Sequence, residues 1–339
     1  MRSSPFLLLL LLLLPLSSVA QHRGEAPPGM RSVELVDPID GHGFSVFVPA
    51  ASNGLGGWDS DGCSYAKGQQ PRKFEIVTSP TTLFSAPIES FNNEVPDAQK
   101  AAVMEMLLGL GRDVENVRML PAADRYELAA AVARILGKDD FEVGELFLAG
   151  AWTVRDTIVG FLPSVQGASD AWSKFVETLP MVRAVDNDRG ATIAFFDMAR
   201  LAHRGGFVHE RDDMLALSAQ IPDAGLNADT KREEFARRVE REGQLLAKAR
   251  DAFKSGLEKN LGTAETRASY RFIVGDLDRR LNDFDSARTA LEAVELDSSA
   301  PDQTKSLARD VLAVLKVQAP ARTVGVETAP TDDVQSAAP

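Results

Sequence analysis

The stretch YRFIVGDLDRRLNDFDSARTALEAVELD (270–297) contains two runs of helical periodicity on either side of the polar turn LNDF. Gly275 lies in the first run, and Ala287, Leu291 and Val294 lie in the second. Residues three or four positions apart share one face of a helix, so the second run has a continuous apolar face. Because Gly275 and Ala287 are small, the stretch predicts a helical hairpin whose two helices approach closely.

The spacing of these residues resembles the tetratricopeptide repeat, in which small residues on both helices of a pair permit close contact. One such unit must bury its face on neighbours, so further helices are expected around it. A weaker copy lies at ATIAFFDMARLAHRGG (191–206), and SLARDVLAVLK (306–316) suits a closing helix.

Periodicity and helix stops extend this prediction over most of the chain. They predict helices at 98–111, 125–137, 141–160, 169–178, 189–204, 209–219, 229–260, 263–281, 284–296 and 302–316. Either Asp139 or Asp140 can cap the helix that follows them. The predicted fold class is mainly α: a tetratricopeptide-like helical array over 96–318 with a small N-terminal β module.

The β module is predicted over residues 31–95. SVELV (32–36), FSVFV (44–48) and FEIV (74–77) are short runs rich in Val, Ile and Phe, separated by turn residues. So few short strands bury little surface, and a module of this size needs a metal or a larger neighbour for stability.

The sequence patterns at the two ends of the chain are not those of the helical array. Residues 1–20 combine a basic start, a leucine run and small residues before a cut after Ala20, which predicts a secretory signal peptide and a secreted or periplasmic protein. The leucine run is shorter than the roughly 20 residues that span a bilayer, and no later segment is more apolar, so no stable membrane insertion is expected. The leader 21–30 and the tail 319–339 are predicted to be disordered.

The composition excludes several classes of binding partner and of cysteine-based site. The formal net charge of −12 argues against nucleic acid and anionic lipid, which attract basic surfaces. Cys63 is the only cysteine, so the chain can form neither an internal disulfide nor a cysteine-rich zinc site. Cys63 is interpreted as a buried, inert residue, with pairing between two copies as the alternative.

Four stretches resemble the bacterial family known only as domain of unknown function 2225, and together they cover most of residues 35–297. They are GGWDSDGCSYAKGQQPRKFEIVTSP, RYELAAAVARILG, ELFLAGAWTVRD and ASYRFIVGDLDRRLNDFDSA. The resemblance implies a small zinc-ribbon-like module followed by helices of tetratricopeptide type.

The resemblance also implies two Cys-x-x-Cys knuckles, which fall here on Asp37 with Asp40 and on Ser79 with Thr82. All four ligand cysteines are therefore absent, and the expectation is a degenerate ribbon that keeps its backbone course without metal or cofactor. Oxygen ligands suit Ca²⁺ or Mg²⁺, but two carboxylates and two hydroxyls are a poor set beside the six to eight oxygens that Ca²⁺ takes.

The loop between the two knuckle positions contains the sequence motif that matches the family most specifically. Its motif residues are Gly56, Gly57, Asp59, Ser60, Asp61 and Cys63. Asp and Ser side chains often bond nearby amides in turns, so the favoured interpretation is a structural loop packed across the ribbon. The alternative is an exported hydrolase or metal-dependent enzyme that uses Asp59 and Asp61 together with Asp37 and Asp40, provided that these carboxylates converge in a pocket.

No other pattern indicates catalysis. Phosphate-binding, dinucleotide-binding, zinc-protease and serine-hydrolase motifs are absent, and His203 and His209 match no metal-ligand spacing. The favoured function is therefore an exported, non-catalytic interaction or scaffold protein that binds a protein or peptide partner. By analogy with such repeats, the partner-binding residues are predicted on the first helix of the best repeat: Tyr270, Ile273, Asp276 and Leu277.

Overall fold

A computed structural model describes residues 26–110, 120–160, 164–222 and 225–318. The helices in these residues are α1 (Asp97–Gly109), α2 (Ala122–Ile135), α3 (Asp140–Val159), α4 (Gly167–Arg183), α5 (Asp188–Gly205), α6 (Val208–Ala219), α7 (Ala228–Glu258), α8 (Ala264–Arg280), α9 (Phe284–Leu296) and α10 (Asp302–Gln318). The strands are β1 (Met30–Val36), β2 (Gly43–Pro49), β3 (Gly57–Trp58), β4 (Ile76–Thr78), β5 (Ser85–Pro87) and β6 (Val165–Gln166). The fold is mainly α, as the sequence predicts.

The helices begin and end close to the predicted residues because their limits are set locally. Asp139 caps α3: its side chain accepts a hydrogen bond from the Glu142 amide, and the Glu142 side chain accepts one from the Asp139 amide. Helix α5 ends at Gly205 and is capped by Gly206, which adopts a left-handed conformation with φ of 74°. The predicted signal peptide and the tail 319–339 lie outside the described residues, and β1 already includes Met30 of the predicted leader.

The β module consists of two antiparallel hairpins. In the first, β1 pairs with β2 in a register that joins Met30 to Pro49 and Val36 to Gly43, and in the second β4 pairs with β5. The predicted strand at 74–77 is displaced, because Pro71 starts a short 3-10 helix (Pro71–Phe74) and the strand begins only at Ile76.

The apolar core of the module is continuous with the first two helices. Leu35 and Phe84 of the hairpins belong to one hydrophobic cluster with Val103 of α1 and with Leu128 and Val132 of α2. The module thus obtains from the first two helices the apolar contacts that so small a sheet lacks.

The interface between α3 and α7 is built from reciprocal glycine–phenylalanine contacts. A Cβ at Gly144 of α3 would lie 2.5 Å from the ring of Phe253, and one at Gly256 of α7 would lie 2.5 Å from the ring of Phe141. Each ring therefore occupies the space that a side chain on the facing helix would need, so the two helices lie close together.

The hairpin predicted from residues 270–297 forms as α8 and α9. A Cβ at Gly275 would lie 2.9 Å from Cγ of Leu291, and Ala287, Leu291 and Val294 are fully buried. The prediction that the small residue at 275 permits close approach is confirmed. None of the described helices has both the length and the apolar composition that crossing a bilayer requires.

Candidate functional site: a buried ion-pair cluster and the groove beside it

The motif loop lies against the helices and not across the ribbon, which corrects the predicted packing. Strand β3 pairs in parallel with β6, joining Gly57 to Val165 ahead of α4. Gly57 has φ of 80°, and an added Cβ would collide with the Val165 backbone, while a Cβ at Gly56 would lie 2.6 Å from that of Tyr65. Both glycines are needed because the loop backbone approaches its neighbours this closely.

Asp59 is the first carboxylate of the loop, and it is paired in the protein interior. Its Oδ1 accepts from Nε of Arg204 at 2.8 Å, and its Oδ2 accepts from Nη1 of Arg155 at 3.1 Å and from the hydroxyl of Tyr65 at 2.8 Å. Only 1% of Asp59 is exposed, so its charge is compensated by the two guanidinium groups and not by water.

Asp61 binds the same arginine from its other side. Arg155 Nη2 lies 2.8 Å from Asp61 Oδ2, which also accepts from the indole Nε1 of Trp152 at 3.1 Å, with Arg280 Nε 3.5 Å away. Burial alone would raise the pKa of Asp61, but Arg155 and Arg280 outweigh burial and hold that pKa well below its usual range. Asp61 is thus ionised in the fold.

Ser60, between the two aspartates, contacts a second group of charges on α8. Its hydroxyl donates to Oδ2 of Asp276 at 2.8 Å. Asp276 also accepts from Nη2 of Arg279 at 2.7 Å and from Nε of Arg280 at 3.1 Å. Arg279 Nη1 in turn donates to the carbonyl of Gly205 at 2.9 Å, so this group also fixes the end of α5.

Arg155 extends the cluster to α7 and α5. Its Nε donates to Glu242 Oε1 at 2.8 Å, and Glu242 Oε2 lies 2.7 Å from Nε2 of His203. Burial opposes the charge on Glu242, yet Arg155 and His203 lower the pKa of Glu242 to about 2. Burial lowers the pKa of His203, so the imidazole is neutral at pH 7.

The opposite side of the loop holds the lone thiol. Cys63 is fully buried, Arg72 Nη1 donates to its sulfur, and burial raises the pKa of Cys63 to about 12. Asp156 of α3 lies 3.7 Å from Arg72 Nε, and burial raises the pKa of Asp156 to about 6. The thiol is therefore protonated at neutral pH, which leaves it poorly reactive.

The cluster balances its charges and leaves the loop carboxylates no open face. Four carboxylates are matched by four guanidinium groups: Asp59, Asp61, Glu242 and Asp276 with Arg155, Arg204, Arg279 and Arg280. A general acid or base must reach a substrate proton, whereas Asp59 and Asp61 are at most 2% exposed and ion-paired. This arrangement joins the loop to the helices.

The two knuckle positions form turns with one hydrogen-bonding pattern. The amide of Asp37 donates to the carbonyl of His42, five residues on, and the amide of Ser79 donates to that of Phe84. The residue four positions on is left-handed in both turns, with φ of 77° at Gly41 and 65° at Leu83. The turns face each other, because the Thr82 hydroxyl donates to Oδ2 of Asp37 at 2.6 Å.

These positions do not form a complete set of metal ligands. The carboxylate oxygens of Asp37 accept hydrogen bonds from the Thr82 hydroxyl and the Ile39 amide. Asp40 is exposed and accepts a hydrogen bond from the His42 amide. Ser79 accepts from the backbone of its own turn. Within the described ranges, no group of three or more His, Cys, Asp or Glu side chains is arranged to hold a metal ion.

The predicted partner-binding residues on α8 divide into two pairs. Asp276 and Leu277 are fully buried, Asp276 within the ion-pair cluster, so neither can reach a partner. Tyr270 is half-buried and stacks on Phe141, and Ile273 is half-buried against the main core. The helical spacing does not expose one face of α8, because α7, α9 and the motif loop surround it.

A cavity lies elsewhere, in a groove between the β module and helices α2 and α3. It has a volume of about 770 Å³. Its walls are the end of β2 with the following residues 50–52, the segment 71–76, strand β5, and the facing sides of α2 and α3.

Sequence reasoning missed the arginines that surround the loop. Each stands on a helix face that is otherwise apolar: Arg155 follows Ala151 and Val154, and Arg204 follows Leu201 and Ala202. A charged residue on the apolar face of a helix needs a buried partner, and the aspartates of the motif loop have no basic residue near them in sequence. These two features together could have predicted the ion pairs. No protein-family model, curated protein or solved structure matches this chain.

Proposed function

We propose that the protein is an exported, non-catalytic interaction or scaffold protein, in which a metal-free, ribbon-like module is docked on tetratricopeptide-like helices. The groove of about 770 Å³ between module and helices carries the proposal. Its volume falls within the range of about 300–1,000 Å³ that is common for ligand pockets. A short peptide segment or a loop of a partner protein would fit such a space.

The state of the polar residues supports binding over catalysis. The loop carboxylates Asp59 and Asp61 are ion-paired in the interior, and Asp37 is bonded to Thr82. A hydrolase or metal-dependent enzyme built on these groups would need them free and convergent. The alternative therefore has less support than the interaction role.

Photo-crosslinking from two exposed alanines tests the proposal. Ala51 lies on the groove wall, whereas Ala293 lies on α9 away from the groove. With a benzoylphenylalanine at one position at a time, in cells that export the protein, we expect a discrete adduct from position 51 and none from 293. Identical adducts from both positions, or none from 51, would contradict the proposal.

Native mass spectrometry of the purified protein checks the remaining parts of the proposal. The expected mass lacks residues 1–20 and includes no stoichiometric metal. A retained leader would refute export through a cleaved signal peptide. Calcium, zinc or another ion near one per chain would favour the enzymatic alternative.

A further inference from the structure

We propose that the groove binds an extended, positively charged peptide segment, with apolar side chains on the floor and Lys or Arg at the rim. This inference rests on the proposed function and specifies the chemistry of its partner. The composition of the floor, the charge of the rim and the rigid connection between the walls support it.

The floor of the groove is apolar and includes several small side chains. Ala86 of β5 and Ala129 and Ala133 of α2 are buried there, together with Ile76 and Val132. Such a floor offers apolar contact to the side chains of a bound segment. An extended segment presents every second side chain to the same face, and therefore to the floor.

The rim of the groove carries an excess of negative charge. Its exposed charged residues are Glu75, Glu89, Glu142, Glu145, Arg31 and Lys138. Lys138 lies 2.7 Å from Glu142, so these two charges compensate each other. Three carboxylates then face one guanidinium.

Two tyrosines orient the rim without neutralising it. The Tyr126 hydroxyl donates to Glu75 at 2.9 Å, and the Tyr270 hydroxyl donates to Glu145. A neutral donor leaves the carboxylate charge in place, so both glutamates can still attract a cation. The net charge of −12 of the whole chain acts in the same direction and would speed the approach of a basic partner.

The two walls are joined beneath the groove. Arg125 of α2 donates to the carbonyls of Ile76 at 3.1 Å and Lys73 at 2.6 Å, and the Tyr126 hydroxyl oxygen also lies 2.9 Å from the carbonyl oxygen of Arg72. Because these contacts hold the walls together without a partner, a peptide would lose less free energy to ordering the site.

Fluorescence anisotropy with the mature, full-length protein tests the inference. The probes are labelled peptides with Lys or Arg at both ends and Ala or Val between them, such as Lys-Ala-Val-Ala-Val-Lys, and the charge-reversed set ending in Glu. We expect at least one basic peptide to saturate the protein below about 100 μM at low salt, with weaker binding as salt screens the rim.

Matched variants locate the binding. The double variant E75Q/E89Q should weaken the basic peptide about three- to tenfold, while E233Q/E292Q, which removes two exposed carboxylates from α7 and α9, leaves it unchanged. A149W, which fills the groove from α3, should abolish binding, and A293W should not.

Each contrary result has a separate meaning. Equal binding of basic and acidic peptides would overturn the charge argument but keep an interaction groove. Basic peptides that bind A149W normally, or that fail to bind at about 1 mM, would overturn the inference. A small molecule that co-purifies with the protein but not with A149W would assign the groove to that ligand instead and also overturn it.

Discussion

Replacing Arg155 by methionine is the sharpest perturbation of the buried cluster. The Arg155 guanidinium is fully buried and contacts Asp59 at 3.1 Å, Asp61 at 2.8 Å and Glu242 at 2.8 Å. Methionine matches part of its volume but offers no charge and no donor. The three carboxylates therefore lose one shared cation while remaining out of water.

The expected cost follows from what each carboxylate retains. Asp59 keeps Arg204 at 2.8 Å, and Asp61 keeps Arg280 at 3.5 Å, so both remain partly compensated. Of its two partners Arg155 and His203, Glu242 keeps only the imidazole of His203, at 2.7 Å. Removing one partner of a buried ion pair costs about 3–5 kcal/mol, and we expect R155M to lower the free energy of unfolding by that amount.

Urea unfolding, followed by both tryptophan fluorescence and circular dichroism, measures this loss, provided that the two transitions coincide. R309M is the control, because Arg309 forms an exposed pair with Glu295 at 3.3 Å and should cost less than about 1 kcal/mol. Because E242Q removes the stranded charge, R155M/E242Q should be more stable than the sum of the single effects implies, by about 1–3 kcal/mol. A loss below about 1 kcal/mol for R155M, or additive single effects, would refute the reasoning.

Three further predictions concern packing, the thiol and pH. G144A and G256A should each lower the free energy of unfolding by about 1–3 kcal/mol, because the added Cβ would overlap a phenylalanine ring. G243A should instead raise the free energy of unfolding by about 0.5–1 kcal/mol, because its Cβ meets open space within a helix. Equal losses for all three variants in urea unfolding would contradict this. Cys63 should resist dithionitrobenzoate at pH 8 until denaturant is added, and the protein should run as a monomer on a non-reducing gel; fast labelling of the native protein would contradict its burial. Burial raises the pKa of Asp156 to about 6, so ionisation of Asp156 destabilises the folded protein as pH rises from about 4 through 6. The free energy of unfolding of D156N relative to the unsubstituted protein should therefore increase by about 1–3 kcal/mol between pH 4 and pH 7. A difference that does not change with pH would argue against the raised pKa.

Local signals explain why the helical part of the fold was predictable. The signals lie close in sequence to the features that they determine: Asp139 caps the helix that follows it, and Gly206 ends the helix that precedes it. The spacing of Gly275 and Leu291 likewise predicts the contact within one helical hairpin. The strand at 74–77 was misplaced because Pro71, just before the run, favours a helical turn at that point.

The candidate site depends on contacts that local pattern does not encode. The hydroxyl of Ser60 bonds to Asp276, which is 216 residues away, and Asp59 pairs with Arg204, 145 residues away. A polar turn of this composition can be satisfied by neighbouring amides alone, so periodicity cannot distinguish such a turn from a loop that enters a helical core. The burial of Asp276 and Leu277 likewise follows from which elements pack around α8, and this depends on the complete fold.

The ion-pair cluster and the groove are connected through the segment that leaves the motif loop. A buried cluster of charges contributes little net stability compared with apolar packing, but each bonded carboxylate and guanidinium accepts few orientations. The loop that holds Asp59 and Asp61 continues through Arg72 into the wall segment 71–76 of the groove. We infer that the cluster fixes how the module docks, and thereby sets the spacing of the groove walls. R155M protein that remains folded in the absence of urea should then bind the basic peptide more weakly than R309M protein does, although Arg155 does not line the groove, and unchanged affinity would separate the two features.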